Sequence, residues 1–293
     1  MESQVSNPFV SMKEMTSGTA KVLLYGESGS GKTFVACRLN NVLVVDFEEG
    51  LKSAPMDGSM KGLEDPANLR AAFETSRDDF PNVSVTVTEV TQLKTIWTLI
   101  KEHPGRFDTL VLDSVTTLGE MTEEWIRTRF SSAGTQRVQA DNKADGDIVS
   151  LTMQGWGYAQ NKLGDALSSF RFLPVNIVFV FHETAIVNKD QPTRYLPKFK
   201  GKDLPAKIKG YVDFGIRVEI ATHKVGPRIT TRRQFRCHPT PTVWAKCRDG
   251  EGGLLAEHEP ADLNALLAKV TGRNEKSTPV TTTTAQTQLT AAS

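Results

Sequence analysis

The sequence has 293 residues, 39% hydrophobic and 24% charged, with a formal net charge of +1 at pH 7. That length supports a sizeable core in one large domain or two small ones, and the near-neutral balance excludes bulk attraction to nucleic acid while leaving room for local patches. No apolar run reaches the roughly 18–20 residues of a membrane span. The N-terminus lacks the basic-then-apolar pattern of a secretory signal, and Cys37, Cys237 and Cys247 lack zinc-ligand spacing. These features predict a cytoplasmic protein with no membrane partner.

In chain order, residues 1–20 read as an N-terminal extension, 21–271 as the folded domain and 272–293 as a disordered tail, rich in Thr, Ala, Ser and Gln. Strands are predicted at Lys21–Tyr25, Val42–Asp46, Val83–Val87, Thr109–Asp113 and Asn176–Phe181; most are short and nearly all apolar, as in a parallel sheet covered on both faces. Between them helical patterns cover Lys32–Leu39, Asp65–Phe73, Leu93–Glu102, Leu118–Phe130 and Gly155–Phe170. The alternation predicts an α/β domain with helices on both sides of a mainly parallel sheet. From Tyr211 onward the pattern turns to hairpin signals, predicting antiparallel strands that extend the sheet, and a short helix near Pro260–Val270 closes the fold. Trp97, Trp125, Trp156 and Trp244 read as packing residues, and Cys37 as a small buried one.

Gly26-Glu27-Ser28-Gly29-Ser30-Gly31-Lys32-Thr33 fits G-x-x-x-x-G-K-[ST], with an apolar strand before it and a helix after it, and Phe34 follows directly. In such a loop glycines let backbone N–H groups converge on phosphates, the lysine approaches the β- and γ-phosphates, and the hydroxyl ligates Mg²⁺. Residues 26–34 are thus the candidate nucleotide site, with Lys32 also catalytic. Asp113 ends an apolar run, where a carboxylate reaches the Mg²⁺ shell together with Thr33. In "VLVVDFEEG" a strand ends in Asp46 and Glu48 follows; Glu48 is the candidate for activating water, and a solvated acidic turn is the alternative.

At this point the chain resembles the RecA-like ATPases. The residues that carry the likeness are "VVDFEEG", "VLDSVTTL" and "NIVFVFHE", each an apolar strand ending in polar residues. More narrowly, "GWGYAQNKLGDAL", "FHETA", the basic "LPKFKGKDLPAKIKGYVDFGIRVEI" and "AKCRDG" resemble phage-encoded nucleotide-binding proteins of that type, which act as recombinases or single-strand annealing proteins; the likeness runs from about Lys21 to Leu267. It implies a RecA-like fold, ATP and Mg²⁺ as ligands, and Glu48 as the water-activating residue. It also places His182 at the γ-phosphate sensor position, usually Gln in that family; a residue capping the strand end is the alternative. A ring or filament of identical subunits is implied, with single-stranded DNA as partner, a single-strand-binding protein as a further one, and host cytoplasm as the setting. Replicative-helicase-like or loader ATPases, and a nucleotide-gated protein-binding switch, are the alternative functions.

The resemblance implies two mobile DNA-facing loops, 131–152 and 183–202. The second combines Lys189, Arg194, Lys198, Lys200 and Lys202 with Tyr195 and Phe199, and cations interleaved with rings suit single strands. From Thr184 to Gly250 there are 15 Lys or Arg against five Asp or Glu. That bias suggests a nucleic-acid surface, with a solvated β-face as the alternative. Lys198, Lys200 and Lys202 could equally serve a neighbouring subunit's active site, as such ATPases commonly arrange.

Overall fold

The computed structural model describes residues 18–51, 56, 58–60, 66–129, 135–139, 147–199, 203–225, 228–248 and 253–272. Lys200, Lys202, the tail from 273 and most of the N-terminal extension lie outside them. The strands are β1 (Lys21–Gly26), β2 (Val42–Asp46), β3 (Gly58–Met60), β4 (Val83–Thr86), β5 (Thr109–Asp113), β6 (Thr135–Gln139), β7 (Asp147–Leu151), β8 (Asn176–Asn188), β9 (Gln191–Pro197), β10 (Phe214–Val225), β11 (Arg228–Arg236) and β12 (His258–Pro260). The helices are α1 (Lys32–Ala36), α2 (Pro66–Glu74), α3 (Gln92–Glu102), α4 (Val115–Arg129), α5 (Met153–Phe170), α6 (Asp203–Tyr211) and α7 (Leu263–Thr271).

The main sheet runs β12-β11-β10-β1-β8-β5-β2-β4-β3, and every neighbouring pair from β10 to β3 is parallel. β11 and β12 add antiparallel pairs. The chain therefore forms the expected α/β class, a mainly parallel sheet extended by C-terminal antiparallel strands. One detail differs: β10 itself joins β1 in parallel, and the antiparallel part begins at β11.

The central strands are buried along their whole length, and strand alternation sends their side chains to two faces. Leu23, Tyr25, Leu43, Val45, Leu110, Leu112, Phe179 and Phe181 pack with residues of α2 to α6. Val22, Leu24, Val42, Val44, Val111, Val178 and Val180 pack with residues of α1 and α7. Asp262 caps α7, its carboxylate accepting from Asn264 N and Ala265 N, and Gly272 ends it in the left-handed region. The tryptophans take packing positions: Trp97 and Trp244 lie against the larger core, and Trp125 and Trp156 against a small cluster around Ile126. Cys37 is fully buried, which pushes its thiol up to about 12.

Both segments expected as mobile loops contain hairpins instead. β8 continues past Phe181 to Asn188 and turns back antiparallel as β9, and β6 pairs with β7. The β8–β9 extension stands outside the covered sheet, so its side chains from Ala185 to Gln191 are exposed. A strand with no buried face loses the apolar signature that marks the others.

Candidate nucleotide and catalytic site

Parallel strands end on the same side, so β1, β8, β5 and β2 bring their C-terminal residues to one edge. The register pairs Gly26 with His182 and Asp46 with Asp113. β8 lies between the strand that carries the phosphate loop and the strand that ends in Asp113, which is why His182 reaches the site.

The loop after β1 is shaped by Gly29 at φ 79° and Gly31 at φ 90°, conformations that strain residues with a Cβ. Gly31 is confined twice over: an added Cβ would lie 2.3 Å from Nε of Arg233, which donates to Ser30 O at 3.2 Å. Lys32 is buried, and its Nζ donates to Gly26 O at 3.0 Å and Glu27 O at 2.9 Å, both carbonyls of the loop itself. Burial lowers its pKa, opposed by the charges of Asp113 and Glu48. Phe34, 41% exposed, stands beside the loop with the guanidinium groups of Arg38 and Arg233 each 5.2 Å from its ring centre.

Asp113 is 4% exposed. Burial pushes its pKa up to about 6; the Thr33 hydrogen bond opposes that rise, and nearby Glu48 and Asp46 add to it. Asp46 also organises the next turn, accepting from Glu48 N at 2.9 Å. Glu48 then turns its Oε1 onto three donors: Ser114 Oγ, Thr117 Oγ1 at 2.7 Å and His182 Nε2 at 2.8 Å. Burial alone would raise the Glu48 pKa, but these hydrogen bonds and the His182 charge bring it below the usual carboxylate range. Ser114 and Thr117 were not singled out from sequence as partners of Glu48. Their signal is the Ser-x-x-Thr spacing in "DSVTTL", which puts both hydroxyls on one side of the first turn of α4.

These groups share a cleft of about 460 Å³. Ser28, Gly29, Gly31, Lys32 and Thr33 line it, as do Glu48, Asp113, His182, Phe34, Glu183 and Lys198. Glycines with positive φ, an ammonium, and a hydroxyl–carboxylate pair of hard oxygens fit a metal–nucleotide. No group of three or more His, Cys, Asp or Glu able to hold a metal occurs among the described residues. Mg²⁺ needs none, because one or two protein oxygens suffice when phosphates and water complete its shell.

The model of a family described as an AAA domain matches residues 19–248, from the edge of β1 to beyond β11. The chain belongs to the AAA-domain family. It is thus a P-loop ATPase by family as well as by loop geometry. No curated protein matches it. Among solved structures it is similar to a KaiC-like protein from the hyperthermophilic archaeon Pyrococcus horikoshii OT3, at 12% identity over 80% of this chain and 82% of that one. The TM-score of 0.35 is too low to carry a functional argument.

The remaining candidate residues of this AAA-domain ATPase separate. His182 is not at a strand end: β8 runs on through it, and its backbone N donates to Thr116 Oγ1 at 3.1 Å. Lys189 lies at the β8–β9 turn and Arg194 on β9, both exposed. Lys198 follows β9 and lines the cleft, away from the hairpin tip. The basic excess between Thr184 and Gly250 is partly consumed inside the protein. Arg217 binds Glu183 at 2.6 and 3.0 Å and Glu219 at 2.9 Å, Arg236 binds Glu219 at 3.0 Å and Glu257 at 2.8 Å, and Lys246 donates to Lys209 O and Val212 O.

Proposed function

We propose that this AAA-domain protein hydrolyses Mg-ATP, with Glu48 as the group that takes up the proton of the attacking water, and couples nucleotide state to single-stranded DNA. The observation that carries the catalytic part is the convergence on Glu48. Ser114, Thr117 and His182 all donate to Oε1, which fixes the carboxylate and leaves Oε2 for the water. Its lowered pKa keeps it ionised at neutral pH, as an acceptor of a proton must be. Lys32, now spending its ammonium on two loop carbonyls, exchanges them for β- and γ-phosphate oxygens. The Thr33 hydroxyl and the Asp113 carboxylate would hold Mg²⁺, whose charge offsets that of the phosphates.

His182 links this chemistry to the rest of the chain. Its ring contacts Glu48 and its backbone belongs to β8, which continues into the exposed hairpin bearing Lys189 and Arg194. A phosphate that competes with Glu48 for the imidazole would alter how that strand is held. The basic hairpin is the surface that meets single-stranded DNA, in phage recombination or annealing by a ring or filament of subunits, with a single-strand-binding protein as a further partner. The test is an ATPase assay titrated with single-stranded DNA at two salt concentrations. Stimulation that weakens steeply with salt is expected, since phosphate contacts release counterions. A flat response would remove the DNA and favour a nucleotide-gated protein switch. Stimulation that needs a forked duplex would favour a helicase-like role.

A further inference from the structure

Lys198 is expected from sequence to touch DNA or a neighbouring subunit, but its position ties it to its own cleft. Its backbone N donates to His182 O at 2.8 Å, and its carbonyl accepts from Thr116 Oγ1 at 3.3 Å. Thr116 Oγ1 in turn accepts from His182 N. These bonds pin residue 198 between β8 and the first turn of α4, the two elements that supply His182, Ser114 and Thr117 to Glu48. The Lys198 side chain is exposed and lines the cleft with Lys32, Glu48 and Asp113. Glu183, which pairs with Pro197 across β8 and β9, is already held by two nitrogens of Arg217. Among the described residues the Lys198 ammonium forms no ion pair, so its charge remains available to a ligand.

We propose that Lys198 is a catalytic lysine acting in cis. Its ammonium meets the terminal phosphate of the nucleotide bound in its own subunit, at the end of the cleft where Glu48 and His182 lie. There it offsets charge that builds on the transferring phosphoryl group, a task that a cation from a neighbour would otherwise perform. The inference rests on the reading of this cleft as an ATP site. It also gives the β8–β9 hairpin a second link to that phosphate, because His182 and Lys198 stand at the base of its two strands.

The test is equilibrium binding of ATPγS and ADP, with turnover followed in parallel. Lys198→Ala should weaken ATPγS about tenfold and leave ADP unchanged, the size of one lost charge-assisted hydrogen bond. Lys198→Arg should keep most of the affinity. Unchanged ADP binding doubles as proof that the variant is folded. Equal loss for both nucleotides, or no loss, would overturn the proposal. Mixing Lys198→Ala with Lys32→Ala separates cis from trans. A Lys32→Ala subunit has a crippled phosphate loop but an intact Lys198, so recovery of ATPγS affinity in the mixture would prove action in trans and sink the cis assignment. No recovery is expected. Wild-type protein that binds neither nucleotide, or Lys32→Ala that binds both as well as wild type, would instead bring down the ATP reading itself.

Discussion

Two sets of charged side chains adjoin on β8, at His182 and at Glu183, and they are held in opposite ways. On the Glu183 side every carboxylate has a guanidinium: Arg217 grips Glu183 and Glu219, and Arg236 grips Glu219 and Glu257. On the His182 side the carboxylates lack that company. Asp113 has the Thr33 hydroxyl, Glu48 has two hydroxyls and an imidazole, and Lys32 spends its donors on backbone carbonyls. The first set is complete without any ligand and belongs to the architecture of the β10–β11 extension. The second holds a buried Asp113 and a half-exposed Glu48 with no guanidinium among the described residues on either, as a site does when a metal and a polyanion supply the balance.

The comparison is broken most readily at Glu48. Glu48→Gln keeps the size and can still accept from the Ser114, Thr117 and His182 donors, but it cannot take a proton. Turnover should fall by about 10²–10⁴-fold, with ATPγS affinity little changed. Single-turnover kinetics beside equilibrium binding would check this. Turnover close to wild type would return Glu48 to the status of a solvated acidic turn.

How far this contrast was legible in the sequence depends on how locally each part is encoded. The phosphate loop carries its own motif, and Asp113 and Glu48 stand at or just beyond the ends of apolar strands, so short local stretches locate all three. Four of the five expected strands are recovered within a residue, because burial leaves a nearly continuous apolar composition, whereas β8 begins where expected but runs on to Asn188. The β8–β9 hairpin is hidden by the same logic: with residues 185–191 exposed around its tip, "ETAIVNKDQPTRYLP" looks like a loop. The ion pairs around Arg217 were hidden for another reason. Arg217, Glu219 and Arg236 meet only through the β10–β11 register, and Glu183 joins them from β8 across the sheet, so counting charge along the chain credits Arg217 and Arg236 to a basic surface although their charges are paired. Lys198 is expected from sequence among the DNA-contacting or trans-acting cations for the same cause, since its place in the cleft depends on β9 returning beside β8.

On the network side, Arg217→Met should destabilise the protein by about 2 kcal/mol, measured by urea unfolding. Removing one partner from a buried ion pair costs roughly 3–5 kcal/mol, and the partial exposure of these side chains scales that down. ADP affinity should hardly move. A large change in nucleotide binding with intact stability would show that the two sets are one site.

The smallest expected effect carries the sharpest contrast, because the two sets should respond to pH with opposite signs. Burial alone would raise the Glu219 pKa, but Arg236 and Arg217 more than offset it and hold the group below its ordinary 4.5. A carboxylate depressed in the folded state stabilises fully above its unfolded pKa and loses that contribution as pH falls through the folded value. The cost of Arg217→Met should therefore shrink in the acid range. Asp113 is raised, from 3.8 to about 6. Between those values the folded protein keeps a proton that the unfolded chain has lost, so stability declines as pH rises across that window and stays lowered above it. Asp113→Asn removes the penalty while preserving shape. Without ligand the variant should be more stable than wild type at pH 8, and most of that difference should be gone at pH 4. With Mg-ATPγS at pH 8 the order should reverse, since only the wild-type carboxylate gains from the metal. A variant less stable at pH 8 without ligand would mean that Asp113 is already balanced inside the protein, and would place it with the Arg217 network rather than with the cleft.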